Sequence, residues 1–169
     1  RLAEVLAEMG FRLTGIDISP HMLEVAGRRL RRFANFDTYV SDVHALPATG
    51  REFEAALCAR VLMHFPLAEQ VTFLRAVAAV TNGRVVFTQG LDTAYHRLRR
   101  RLKRMLGHQA PAVYPLTPGD MRRLIEAAGL REVRHYMLLP LVSEEVVVVC
   151  EKLARRDASA WECLVDRRV

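Results

Sequence analysis

Gly15-Ile16-Asp17-Ile18-Ser19-Pro20-His21-Met22-Leu23 is the stretch on which the fold turns. Residues 11–18 alternate with the period of a strand, and Ser19 followed by Pro20 supplies an N-cap and a first-turn proline. A strand therefore hands over directly to a helix. Met22, Leu23, Ala26 and Leu30 form the apolar face of that helix, and Arg28, Arg29, Arg31 and Arg32 crowd its far end, where positive charge suits the helix dipole. On the amino-terminal side, Leu2, Val5, Leu6 and Met9 recur at helical spacing, and Gly10 stands where a helix ends on glycine.

Beyond that nucleus the pattern repeats. Thr38-Tyr39-Val40 predicts a short strand, residues 41–50 a polar loop, residues 53–59 a buried strand and residues 67–80 a long helix with Val71, Leu74, Val77 and Ala78 inward. Asn82-Gly83 carries the composition of a turn before a strand at 84–88. This alternation predicts an α/β fold with a parallel sheet covered by helices. Thr117-Pro118 caps a further helix ending at Gly129. Strands at 131–139 and 144–152 follow, separated by Pro140 and a few residues. So short a link cannot hold a parallel crossover, so the last pair is an antiparallel hairpin.

Composition bounds the rest. The 169 residues are 51% apolar and 26% charged, with a formal charge of +6. A chain of this length buries roughly 70% of its unfolded surface, enough for one core and short for two ordinary domains. Disorder as the main state is excluded, and no run approaches the ~18 apolar residues that span a bilayer. Val146 to Val149 is the longest aliphatic block and reads as a buried strand. Cys58, Cys150 and Cys163 are odd in number and far apart, the usage of reduced thiols in a cytoplasmic protein. The six histidines are dispersed without metal-ligand spacing, so no zinc is expected.

Two acids carry the chemistry. Asp17 ends its strand, where a carboxylate of a doubly wound sheet accepts hydrogen bonds from a ribose diol; the alternative is a local cap. Asp42, in Ser41-Asp42-Val43-His44-Ala45-Leu46-Pro47, follows the next strand. Its carboxylate and the following N–H match an adenine edge, although taken alone it reads better as a turn-forming Asx residue. Two acids at successive strand ends, each placed for one nucleoside, weigh more than either singly.

These two motifs, with Phe53-Glu54-Ala55-Ala56-Leu57-Cys58-Ala59-Arg60-Val61-Leu62-Met63-His64-Phe65, resemble the class I S-adenosylmethionine-dependent methyltransferases. Within that class they are most similar to the small-molecule branch of ubiquinone- and menaquinone-biosynthesis-type enzymes. The resemblance covers residues 1–152 as one domain, leaving 153–169 as a polar tail. It implies a Rossmann-like, doubly wound, mostly parallel sheet ending in an antiparallel hairpin, and S-adenosyl-L-methionine as cofactor. It further implies that Asp17 and Ile18 hold the ribose side, Asp42 the adenine amine and Val43 the ring nitrogen, while Cys58, Ala59 and Arg60 line the methionine side. The family's first strand and glycine-rich loop would stand just before Arg1. The native polypeptide is therefore expected to extend upstream, and without that strand the edges of its neighbours are left unpaired.

Methyl transfer from a sulfonium is an in-line displacement that rests on alignment, and a base is needed only where the acceptor must lose a proton. His64 is the candidate base; the alternative is a hydrogen-bonded structural histidine. Tyr95, His96 and Tyr114 are further candidates, in an insertion at about 89–116 that the resemblance makes a lid. There Tyr95, Leu98, Leu102, Met105 and Leu106 form an apolar stripe among Arg97, Arg99, Arg100, Arg101, Lys103 and Arg104. The segment reads as a solvated face, as a surface for an anionic substrate or carrier, or as an interfacial helix on anionic lipid. Nucleic acid is disfavoured, because no aromatic residues interleave to stack bases. The expected activity is methyl transfer to a small or lipid-like acceptor. Its rivals are a non-catalytic methyltransferase-like binding protein and an NAD-dependent oxidoreductase. The sequence leaves the oligomeric state open.

Overall fold

The computed structural model describes residues 1–105, 113–137 and 144–153. The chain divides into two compact units, Arg1–Gly50 and Arg51–Val169.

The first unit is helix, strand, helix, strand: α1 (Leu2–Glu8), β1 (Leu13–Asp17), α2 (Pro20–Leu30) and β2 (Phe36–Val40). Strands β1 and β2 are parallel, in register from Leu13 opposite Phe36 to Asp17 opposite Val40. The expected cap is present, with Ser19 Oγ accepting from the Met22 N–H at 3.4 Å, and α2 buries Leu23 and Leu30. Gly10 adopts φ +87° directly after α1, the left-handed conformation that glycine takes most readily. The Asn35 side chain donates to the carbonyls of Ala7 and Phe11 at 3.0 and 2.7 Å and fastens the end of α1.

The expected polar loop at 41–50 is instead a 3-10 helix over Val43–Thr49. Asp42 caps it by accepting from the His44 N–H at 3.0 Å, and Leu46 buries itself beneath it. Gly50, at φ +66°, ends it.

The second unit contains β3 (Phe53–Cys58), a 3-10 turn (Leu62–His64), α3 (Leu67–Ala79), β4 (Thr81–Gly90), α4 (Ala94–Met105), α5 (Pro118–Ala127), β5 (Leu130–Met137) and β6 (Glu145–Lys152). Its sheet has the order β3-β4-β6-β5, with β3 and β4 parallel and β6 antiparallel to both its neighbours. The terminal hairpin is thus present, with β6 on the inside. Val85, Phe87, Val148 and Cys150 from the sheet and Leu74, Leu124 and Ile125 from α3 and α5 are buried.

The Asn82-Gly83 turn does not form. Strand β4 starts at Thr81, immediately after α3, with Thr81 Oγ1 donating to the Val77 carbonyl at 2.7 Å. Gly83 lies inside the strand because a Cβ there would come within 2.3 Å of the Glu54 carbonyl oxygen. The glycine serves the close approach of β3, not a reversal of the chain.

The strands therefore form two sheets, of two and four strands, and not one. Among the described residues β1 pairs only with β2, and β3 only with β4.

Candidate functional site

At the carboxyl end of the β1–β2 pair, the Ser41 N–H donates to the Asp17 carbonyl oxygen at 3.1 Å. Asp17 faces Val40 across the ladder, and Asp42 lies two residues further on. One strand spacing and two Cα steps put the two acid Cα atoms no more than about 12 Å apart.

Each carboxylate is half committed. Asp17 Oδ1 accepts from the Ser19 N–H at 2.8 Å, and Asp42 Oδ1 accepts from the His44 N–H at 3.0 Å. The Oδ2 atoms make no hydrogen bond among the described residues. The Val43 N–H, at the first position of the 3-10 helix, likewise has no acceptor there, as the geometry of a helix start dictates. Ile18 is 72% exposed beside them. Residues 17–43 thus offer an exposed apolar side chain, two carboxylate oxygens and one N–H donor near the ends of two neighbouring strands. This donor and acceptor set suits a nucleoside with a diol at one end and an amine-bearing base at the other. Both acids thus engage their own turns, Asp17 through the Ser19 N–H and Asp42 as the N-cap of the 3-10 helix, as the local reading of each expected.

The other residues singled out by the sequence, 58–60 and His64, lie in the second unit, where β3 ends. Cys58 is buried, and its thiol is pushed up to about 12 by that burial, so it stays protonated and is not a nucleophile. Ala59 and Arg60 are exposed. Arg60 is the non-glycine residue with positive φ among the described residues, at +59°. Its N–H donates to Thr88 Oγ1 at 2.8 Å. His64 ends the 3-10 turn with its side chain exposed. That imidazole makes no hydrogen bond among the described residues.

Beside it a cavity of about 140 Å³ is lined by Met63, Gly90, Val113, Pro115, Glu144 and Glu145. Tyr114 is exposed, and its N–H donates to the Met63 carbonyl at 2.7 Å. The segment at 89–116 contains a helix, α4, and Tyr95, Leu98 and Met105 of its apolar stripe are exposed. Arg97 pairs with Asp92 at 3.1 Å. Leu106, Pro140, residues 138–139, residues 154–169 with Cys163, and the side chains of His96, Arg99, Arg100, Leu102, Lys103 and Arg104 fall outside the described set.

Sequence reading missed three polar residues around this loop. Thr88 holds Arg60. Gln70 and Gln89 are fully buried, with Gln89 Nε2 donating to Gln70 Oε1 at 2.6 Å and Gln70 Nε2 to the Phe65 carbonyl at 2.7 Å. The one available signal was chemical: Gln70 shares a helical face with Leu74 and Val77, and Thr88-Gln89 interrupts an aliphatic strand.

Residues 1–83 match the family model described as a methyltransferase domain. No curated protein sequence matches the chain. Among solved structures, the chain is similar to magnesium protoporphyrin IX methyltransferase from Synechocystis PCC 6803 with bound SAH, at 18% identity and a TM-score of 0.73, over 88% of this chain and 67% of that one. Against the same enzyme with bound SAM, it spans 62% of that chain's length. A SAM-dependent methyltransferase from Methanosarcina mazei gives 17% identity and a TM-score of 0.71, covering 90% of this chain and 87% of that one. The 1,6-didemethyltoxoflavin-N1-methyltransferase of Burkholderia thailandensis gives 18% identity and a TM-score of 0.68, covering 91% and 67%.

Proposed function

We propose that the chain, whose residues 1–83 match the methyltransferase domain model and whose fold is similar to that of S-adenosylmethionine-dependent methyltransferases, binds S-adenosyl-L-methionine and transfers its methyl group to a small-molecule acceptor. The observation that carries the reading is the pair of half-committed carboxylates, Asp17 and Asp42, at adjacent strand ends.

S-adenosylmethionine supplies an electrophilic methyl group on a sulfonium that departs as a neutral thioether. The chain's own residues do the holding. Asp17 Oδ2 accepts from the ribose hydroxyls, and Asp42 Oδ2 from the adenine amine. Val43 donates its N–H to a ring nitrogen, and Ile18 covers the nucleoside with apolar surface. Residues 58–60 line the methionine side, with a protonated Cys58 that does not compete as a nucleophile. His64, exposed and uncommitted, takes a proton where the acceptor must lose one.

The cavity beside Met63 is our place for the reacting end of the acceptor. The basic helix α4 supports an anionic or lipid-like acceptor, reached in the second case by peripheral contact with a membrane surface. No described helix is long and apolar enough to cross a membrane. The buried thiols fit a reducing, cytoplasmic setting, and we take residues 1–152 as one functional domain.

A thermal-shift comparison tests the reading. S-adenosylmethionine and S-adenosylhomocysteine should each raise the midpoint, since a ligand at 100 times its Kd adds about 2.7 kcal/mol, and NAD should leave it unchanged. A shift with NAD alone would make the chain an oxidoreductase, and no shift with either sulfur nucleoside would leave a non-catalytic binding protein.

A further inference from the structure

The segment between β3 and α3 is held from outside at three points. Arg60 donates its N–H to Thr88 Oγ1 at 2.8 Å, the Met63 carbonyl accepts from the Tyr114 N–H at 2.7 Å, and the Phe65 carbonyl accepts from Gln70 Nε2 at 2.7 Å. The last tie continues inward. Gln70 Oε1 accepts from Gln89 Nε2 at 2.6 Å, and Gln89 Oε1 accepts from the Gly90 N–H at 3.0 Å. A relay of buried hydrogen bonds thus joins the end of the loop to the end of β4.

Two features make this more than ordinary loop anchoring. Arg60 occupies the left-handed region, at φ +59°, without the freedom of glycine, and such a residue persists only where its surroundings over-determine it. Gln70 and Gln89 are fully buried amides in an otherwise apolar layer, where aliphatic residues would pack without needing partners. Both the strain and the polar burial converge on the segment whose exposed residues are Ala59, Arg60 and His64. Leu62, fully buried, and the Phe65 ring, 6.0 Å from that of Phe73, fill the space beneath it.

We propose that Thr88, with the Gln70–Gln89 pair, is a positioning device that fixes the 59–65 backbone in the conformation that receives the cofactor. Thr88 sets the direction of the chain where it leaves β3, and the glutamine pair sets where it enters α3. None of the three needs to touch the ligand. This rests on the reading above that residues 58–60 face the methionine side.

The test uses the full chain with Thr88→Val, Thr88→Ser and the paired Gln70→Leu/Gln89→Leu change. Three quantities are followed: S-adenosylhomocysteine affinity by calorimetry, amide exchange at Arg60, and the thermal midpoint. Thr88→Val should accelerate Arg60 exchange and weaken affinity about tenfold while cooperative unfolding is kept. Thr88→Ser, which restores the hydroxyl, should recover both, and the paired leucine variant should weaken binding even where its midpoint matches the parent's. Parent-like affinity in Thr88→Val, with Arg60 exchange accelerated or with a lowered midpoint alone, would make Thr88 merely structural and overturn the proposal while the methyltransferase reading stands. Failure of the unmodified chain to bind would overturn both.

Discussion

The Ser41 N–H donates to the Asp17 carbonyl at 3.1 Å, so the chain that leaves β2 is tied to the end of β1 one residue before Asp42. That bond sets two carboxylates at neighbouring strand ends, and Ser19 and His44 each engage one oxygen of one acid. The arrangement makes the local turns depend on the same side chains that we propose as ligand contacts.

Asparagine separates the two roles. Its single acceptor oxygen can keep the turn bond to the Ser19 or His44 N–H, but no second acceptor is left. Asp17→Asn and Asp42→Asn should therefore retain nearly parental stability, since asparagine caps about as well as aspartate. Each should lose roughly 10- to 100-fold in S-adenosylhomocysteine affinity, the value of a hydrogen bond to a charged group. Calorimetric titration beside urea unfolding measures both.

Gly83→Ala should destabilise the second unit by about 1–3 kcal/mol, the cost of forcing atoms into a packed site. The added Cβ would meet the Glu54 carbonyl oxygen at 2.3 Å, which is backbone and cannot rotate away. Urea unfolding gives the free energy. Cross-strand exchange protection at Ala55 to Leu57 should fall with it, because these residues pair with β4.

How far the sequence reveals this architecture depends on how local each determinant is. Ser19-Pro20, Gly10 and Thr117-Pro118 were legible because a cap or a glycine C-terminus acts within four residues. The hairpin was legible because the short connection allowed no other geometry. Asn82-Gly83 misled because the role of the glycine is set by a carbonyl nearly thirty residues away. The 3-10 helix at 43–49 was hidden in polar composition, and its Asp42 cap, buried Leu46 and left-handed Gly50 mark it only in the structure. Asp17 and Asp42 could be singled out as candidates from their strand ends alone. Thr88, Gln70 and Gln89 could not, because their partners are distant in sequence and polar residues in an aliphatic strand carry no address.

Thr117 Oγ1 accepts from the Asp120 N–H at 3.1 Å and donates to Asp120 Oδ2 at 2.7 Å. Thr117→Ala should cost about 1 kcal/mol, and Thr117→Ser should restore most of it. The thermal midpoint of the three proteins checks the order.

Burial raises Cys58 and Cys150 from an ordinary 9.0 to about 12, with Glu132 adding to the effect at Cys150. The native state therefore keeps both protons at pH values where the unfolded chain has lost them. Their contribution to stability is complete below about pH 9 and declines as pH rises toward 12. Stability measured across that window should fall less steeply in Cys58→Ala/Cys150→Ala, after allowance for the lower starting value. In the native chain at pH 8, neither thiol should react with iodoacetamide on the time scale of the unfolded chain, as peptide mapping would show.

The claim beneath all of this is that one adenosine lies across two acids. A crystal of the chain grown with S-adenosylhomocysteine measures it directly: density should place the ribose hydroxyls on Asp17 and the adenine amine on Asp42 of the same ligand. A nucleoside that touches only one of them, or binds elsewhere, would contradict the account.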